Sequence, residues 1–520
     1  ESHNFRNNEA RNDRVTRYSR LMNDIIKSGV KTKVLMLSAT PVNNKLDDLK
    51  NQIAFITEGD DTALETTANL KNISHTIRIA QSQFNKWSNL SEENRTTERL
   101  LDMLSWDYFT LLDSLTIARS RRHIEKYYDM KNIGKFPNRL RPINIKEKID
   151  KDDQFPALEM INNDILRLRL AAYSPMQYIL PHMRASYSEK YDTKVANGRV
   201  FKQTDRENNL IYLIKSNLLK RLESSVHSFS LTLESIINYI NTFIEKIENY
   251  NPSTDLVNDI MDIDVENPDL EDALIGSKVK ILLKDVDIVR WKQDLYYDRD
   301  ILSKLLSYAN KVTPDRDKKL LALKEQIKKK IDHPINDQNK KILIFTAFAD
   351  TAKYLYENLH PFISQYSQLH TAVVTGSENP KTTLKMKKVD FNTVLTNFSP
   401  LSKEREKSMP DMVDEIDILI ATDCISEGQN LQDCDYLINY DIHWNPVRII
   451  QRFGRIDRLG SKNECIQLMN FWPSMELDEY INLVGRVKDR MTILDISSTG
   501  EENVIEENSN EMKDLEYRRK

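Results

Sequence analysis

The amino-acid sequence predicts an α/β fold, lobes built on parallel sheet and separated by a large helical insertion. The first observation is a set of short apolar runs at residues 342–346, 372–375, 416–421 and 436–440, each bounded by polar turns. Runs of that kind are the pattern of strands covered on both faces. The second is a stripe at 3.6-residue spacing from Leu218 through Leu222, Val226, Phe229, Leu233, Ile236 and Ile240 to Ile247, which predicts one long amphipathic helix. Charged residues make up 30% of the 520 and only 11 are glycine, a composition that suits long helices.

That length allows two or three domains. Cys424, Cys434 and Cys465 are odd in number and lack C-x-x-C spacing, which argues against a disulfide or zinc framework and for core thiols in a reducing cytoplasm. No apolar run approaches transmembrane length and the start has no secretory pattern, so no membrane partner is expected. A formal net charge of -4 and a pI near 6.2 exclude a protein that coats nucleic acid through bulk charge. A local basic groove remains compatible with that balance.

Taken in order, residues 14–28 have helical spacing at Val15, Tyr18, Leu21, Met22 and Ile25, with Gly29 as a stop. Residues 34–37 read as a buried strand that ends in Ser38, Ala39 and Thr40. Residues 61–115 are mainly helical and polar. The RSRR run at 119–122, followed by Phe136-Pro137, is either a solvated charge run or an arginine-rich block where one lobe passes to the next. Residues 251–276 hold eight acids and no Lys or Arg, the composition of a mobile acidic connector. A further helix over 315–331 carries Leu320, Leu323, Ile327 and Ile331 on one side.

The strand at 342–346 precedes a helix at 350–359, and the strand at 372–375 turns at Gly376. Hydroxyls of Thr346, Thr375 and Ser377 then face one edge of the sheet, where they contact a phosphate backbone or merely cap helices. Residues 391–400 read as a loop. The loop at 422–432 carries Asp423, Glu427 and Gly428 at the carboxyl end of a strand, the edge where open α/β sheets bind ligands. Asn445 can cap a helix that starts at Pro446 and runs to about Leu459. Along it fall Arg448, Arg452, Arg455 and Arg458 with one acid, Asp457, so an anion is expected there; a solvated face is the alternative. Residues 465–471 close the sheet, residues 473–494 are helical, and the last twenty are too polar to pack.

TDCISEGQNLQ at 422–432 and QRFGRIDRLG at 451–460 closely resemble motifs V and VI of superfamily-2 helicases, in the Swi/Snf-type branch with its bacterial RapA/HepA-like relatives. The resemblance extends to ILIFT as motif IV, to Ser38-Ala39-Thr40-Pro41 as motif III, and to Glu1-Ser2-His3 as the last letters of a DExH box. LLKRLESS at 218–225 resembles a run of the bacterial branch. It implies two RecA-like lobes, the first truncated. Arg455 and Arg458 are then arginine fingers on ATP, worth about 10³ to 10⁵ in rate in related chemistry. Gln451 couples the lobes and Glu1 orients the attacking water. His3, Glu427, Gly428 and Asn430 lie at the nucleotide, Thr346, Thr375 and Thr422 on nucleic acid, and Ser38, Ala39 and Thr40 relay nucleotide state between lobes.

No G-x-x-x-x-G-K-[ST] run occurs, so the chain reads as a carboxyl-terminal fragment of a longer enzyme. ATP and Mg²⁺ would be held mainly outside it, with no metal site of its own. The expected organisation is a lobe-1 remnant at 1–60, a helical protrusion and linker at 61–145, and the helical insertion at 146–330. The second lobe follows at 331–475, then a helix and polar tail at 476–520. The expected activity is ATP-driven movement on double-stranded DNA, with a protein partner through the insertion and a cytoplasmic, nucleoid-associated location. Alternatives are a strand-separating DNA or RNA helicase, or a non-catalytic split fragment.

Overall fold

The computed structural model describes residues 2–5, 15–38, 46–91, 94–117, 121–194, 200–249, 257–259, 280–376, 378–425, 428–443, 445–474, 477–478, 485, 487–488 and 491–492. Its organising element is an eight-stranded sheet. The strands are β1 (Asn138–Arg139), β2 (Ile143–Lys146), β3 (Ile342–Phe345), β4 (Thr371–Val374), β5 (Lys381–Thr382), β6 (Ile418–Ala421), β7 (Tyr436–Asn439) and β8 (Cys465–Trp472). They lie in the order β1-β8-β7-β3-β6-β4-β5, with β2 also along β8. All neighbours are parallel except β4 and β5.

Strands β3, β4, β6 and β7 are buried at every position, which is why their sequences are near-continuous apolar runs rather than alternating ones. The helices are α1 (Gln203–Ser224), α2 (Val226–Glu248), α3 (Ile288–Ala309), α4 (Lys318–Asp332), α5 (Ala349–Ser367), α6 (Phe391–Phe398) and α7 (Pro446–Phe453). One face of the sheet, with Ile342, Ile344, Ile418 and Ile420, packs on Leu320, Leu323 and Ile327 of α4 and Leu355 and Leu359 of α5. The opposite face, with Leu343, Phe345, Leu419 and Ala421, packs on Val394, Leu395 and Phe398 of α6 and on Phe453 and Ile456. An α/β class therefore holds for this part of the chain.

A second core gathers α1, α2 and α3 with the helices Asp47–Ile56, Ile73–Ser88 and Trp106–Leu115. The excursion from 151 to 316 leaves and returns at one point. Asp150 and Asp317 form an antiparallel bridge, Lys151 N–H donates to Arg316 O at 2.9 Å, and the Arg316 guanidinium pairs with the Asp150 carboxylate. This neck lies next to β2 in sequence and immediately before α4.

Several expectations are corrected. The stripe over 218–247 forms two helices rather than one. Ser225 is extended at φ -159°, ψ 147°, and its hydroxyl caps α2 by accepting the Ser228 N–H at 3.0 Å. Both helices bury the same core, so the apolar spacing runs on through the break. Residues 34–37 form no strand: among the described residues no strand pairs with them, the Ser2 N–H that donates to Leu37 O at 2.9 Å comes from a 3-10 turn, and Leu35 and Leu37 are 82% and 71% exposed. Residues 391–398 are a helix, not a loop, because Asp390 accepts the Thr393 N–H as a cap and Val394, Leu395 and Phe398 reach the core.

Residues 138–146, expected as linker, supply β1 and β2, so β8 does not close the sheet but is flanked on both sides. Of the thiols only Cys434 is buried; Cys465 is half-buried and Cys424 exposed. The acidic connector lies outside the described residues except for Val257–Asp259, which pairs with Lys280–Leu282. The final twenty residues also lie outside them. Among the described residues no helix is long and apolar enough to cross a membrane.

Candidate functional site

Parallel register builds the floor of the site. Ala421 aligns with Phe345 on one side and Val374 on the other, so Thr346, Thr422 and Thr375, each the residue after its strand, form one row at the carboxyl edge. The ladder continues into the row: Thr346 N–H donates to Ala421 O at 3.0 Å and Thr422 N–H to Val374 O at 3.2 Å. Thr422 and Thr375 are 9% and 8% exposed, and Thr346 is fully enclosed. The Thr346 hydroxyl is turned inward and donates to Asp441 Oδ2, so in this arrangement it does not face a phosphate backbone.

The arginine segment rises beside that row. Asn445 accepts the Val447 N–H at 3.1 Å and Pro446 opens α7, as the sequence predicts. The helix ends at Phe453, however, well before Leu459. Gly454 donates to Ile450 O at 2.8 Å, and the chain then tightens into turns, with Arg455 N–H on Arg452 O at 3.0 Å and Ile456 N–H on Phe453 O at 3.0 Å. Arg455 and Arg458 therefore sit on the turns that follow the helix.

Arg452 is not a surface charge. It is fully buried, with Nε 2.7 Å from Asp423 Oδ1, Nη2 2.9 Å from Oδ2 and Nη1 3.0 Å from Asn439 Oδ1. Burial pushes the Asp423 carboxyl up, but the Arg452 guanidinium, with His443 and Arg448 nearby, outweighs it and holds the acid down at about 2. The result is a closed, bidentate clamp between the residue after Thr422 and the last turn of α7. Asp457, the one acid of the run, pairs with Arg121 at 3.3 Å and Arg139 at 2.6 Å. Arg121 of the RSRR run is thus docked rather than solvated.

Arg455 donates from Nε to Gln451 O at 2.9 Å and from Nη1 to Gln429 O at 3.1 Å, and its own carbonyl accepts the Leu431 N–H at 3.1 Å. Gln451 is nearly buried, with Oε1 3.5 Å from Arg448 Nη1. Gly428 holds φ +70°, a left-handed position suited to glycine, and Asn430 accepts the Gln432 N–H at 3.4 Å. The structure thus joins Gln451 and Arg455 to the loop through Gln429 and Leu431, the residues that flank Asn430. Arg458 lies on the same turns, half-buried and anchored through Nε to Gly454 O at 2.9 Å. No carboxylate pairs with it among the described residues. Among the same residues no three His, Cys, Asp or Glu side chains gather as a metal site would require.

Glu1, Ala39, Thr40, Ser377 and Glu427 lie outside the described residues, as does the side chain of His3. Ser38 is exposed at the end of a run that packs through Val34 and Met36 against Tyr18, Met22, Ile26 and Phe55. Asn439, Asp441 and the pairing of Asp423 with Arg452 were not assigned from the sequence. One signal was available for Asp441, a carboxylate two residues beyond the four-residue strand in YLINYD.

Residues 318–460 match the Helicase conserved C-terminal domain family. The uncharacterized ATP-dependent helicase YqhH of Bacillus subtilis is 29% identical over 233 residues, 42% of this chain and 35% of that relative. The putative ATP-dependent DNA helicase fml2 of Schizosaccharomyces pombe is 28% identical over 124 residues, 24% of this chain and 14% of that protein. The chain thus spans about a third or less of the length of these relatives. The Pyrococcus furiosus Hef helicase domain superposes at a TM-score of 0.33 with 15% identity, covering 76% of this chain and 65% of that one. Superposition that low adds nothing to the assignment, which rests on the sheet and the sequence match. Over residues 318–460 the chain is thus similar to the helicase conserved C-terminal domain, and the relatives it matches are ATP-dependent helicases.

Proposed function

We propose that this chain is part of an ATP-dependent motor of the Swi/Snf type that moves along double-stranded DNA. The observation that carries the reading is the clamp of Asp423 by Arg452, which ties the Thr422 edge of the sheet to the arginine turns. ATP supplies the hydrolysable phosphoryl group, and Arg455 and Arg458 are the residues that would hold it from this side. Arg455 passes displacement of its turn to the Thr422–Gln432 loop through its bonds with Gln429 and Leu431. Thr422 and Thr375 then tighten or release a phosphate backbone at the carboxyl edge. Gln451, whose carbonyl anchors Arg455, keeps the turn in line with α7.

The test is ATP hydrolysis and fluorescence anisotropy of the full-length protein with duplex DNA, single strands and RNA at several salt concentrations. Duplex should stimulate hydrolysis, and binding should weaken steeply with salt because phosphate contacts release counterions. Arg455→Ala and Arg458→Ala should each cut stimulated hydrolysis at least about a hundredfold, within the range of arginine fingers. Stimulation confined to single strands or RNA would transfer the reading to a strand-separating helicase. Salt-insensitive hydrolysis indifferent to nucleic acid would end it.

A further inference from the structure

The run RLESS, residues 221–225, marks the break between α1 and α2, and no part of the proposed motor cycle uses it. Every polar side chain in it is nevertheless buried. Arg221 Nη1 lies 2.8 Å from Asp350 Oδ2, with its guanidinium 4.8 Å from the Phe348 ring. Lys319 of α4 donates to the carbonyl oxygens of Glu223 at 2.6 Å and Ser224 at 3.2 Å. Ser225 Oγ is 3.0 Å from Thr351 Oγ1. At the tip, Ser224 Oγ donates to Asp441 Oδ2 at 2.6 Å and lies 2.8 Å from Thr351 Oγ1.

Asp441 is the junction. Its Oδ2 also receives the Thr346 hydroxyl, its Oδ1 receives the Ala347 N–H at 2.7 Å, and its carbonyl oxygen is 3.4 Å from Arg452 Nη1. Ser224, Thr346, Thr351 and Arg452 are fully enclosed and Asp441 is 1% exposed. A carboxylate so enclosed holds its place only while its acceptor sites are filled, and removing one donor leaves a costly unsatisfied oxygen. From Asp441 the contacts run through Arg452 to Asp423 and the Thr422 loop. Val447 and Ile449 of α7 also belong to the same continuous core as helices α1 and α2 of the insertion.

We propose that Ser224 is a positioning residue through which the helical insertion sets the arginine turns and the Thr422 loop, acting on Asp441 and, through it, on Arg452. Movement of the α1–α2 break therefore shifts the gripping edge, and the insertion regulates the motor from inside. The proposal rests on the functional reading only for what the gripping edge holds.

Hydrogen exchange by mass spectrometry, on this chain without nucleotide or nucleic acid, tests the coupling itself. Ser224→Ala should speed exchange in peptides from β7 through the arginine turns and in the loop after Thr422 by at least about tenfold, the loss of one hydrogen bond to a charged group. Strands β4 and β5 should keep their protection, and Ser224→Thr, which retains the hydroxyl, should restore it elsewhere. Ser225→Ala, which touches Thr351 and the α2 cap alone, should leave the motif peptides unchanged. Leu302→Ala, in the buried face of α3, provides a control that lowers overall stability without touching the junction. Loosening confined to α1 and α2, or equal loosening in Leu302→Ala, overturns the proposal. In the full-length protein Ser224→Ala should lower kcat for stimulated hydrolysis while KM for ATP holds. If exchange responds as described but duplex DNA neither binds nor stimulates, the coupling stands and the motor reading falls.

Discussion

Glu207 and Glu223 are almost fully enclosed in the helical part, and burial pushes both carboxyl groups up to about 8. The Met176 N–H, 3.2 Å from Glu207, and the Lys319 ammonium beside Glu223 only partly offset that. Each acid is then protonated in the folded chain and ionised in the unfolded one between about pH 4.5 and pH 8. The folded state binds the extra proton, so stability is greatest below the unfolded pKa and falls as pH rises through about 8. The slope is at most about 1.4 kcal/mol per pH unit for each group. Calorimetric melting should show the midpoint falling across that window, and Glu207→Gln should flatten the fall. The sequence could not reveal these groups, because Glu207 and Glu223 lie on a helix whose neighbours Arg206 and Lys220 look equally solvent-bound. It did reveal Asn445, whose capping role needs only the adjacent Pro446. Arg452 was visible as a charge but not as a buried one, since its carboxylate partner is 29 residues away.

At the level of elements, turns matter as much as helices. Gly134 holds φ +91°, and a Cβ there would meet Gly460 Cα at 2.9 Å. Gly460 N–H donates to Lys135 O at 3.0 Å, so the turn before β1 is laid directly on the end of the arginine segment. Gly134→Ala combines a left-handed backbone with a backbone clash and should cost about 1–3 kcal/mol. Thermal unfolding measures it, and the loss should be largest at β1, whose pairing with β8 is only two residues long. Strands β3, β4, β6 and β7 were legible because burial on both faces leaves nothing but apolar residues in them. Strands β1 and β2 were not, because each covers one edge and mixes exposed with half-buried positions. The break at Ser225 was invisible to periodicity, since caps are made by one hydroxyl and the apolar stripe is unaffected.

Across the whole molecule, two cores meet along a polar seam. Arg221, 7% exposed at its side chain, pairs across it with Asp350, which is 28% exposed, and removing the guanidinium takes a charge-assisted hydrogen bond out of the seam, costing about 1.5–3 kcal/mol. Arg221→Ala should therefore split one cooperative denaturant transition into two, followed by circular dichroism and by tryptophan fluorescence reporting Trp291 in the helical core. Coincident single transitions would place the coupling elsewhere. The α/β class was readable from the apolar runs alone, whereas the seam was not, because its partners are brought together from positions more than a hundred residues apart.

The neck at Asp150 and Asp317 has one more implication. A stretch of chain that departs and returns through a single bridge can be lengthened, shortened or exchanged without rethreading the sheet, and the family match begins at Lys318, the first residue after the bridge. What crosses the neck is a graft in connectivity. Its side chains nevertheless share one continuous core with Val447 and Ile449 of α7, so trimming the graft would remove part of the core to which the arginine helix belongs.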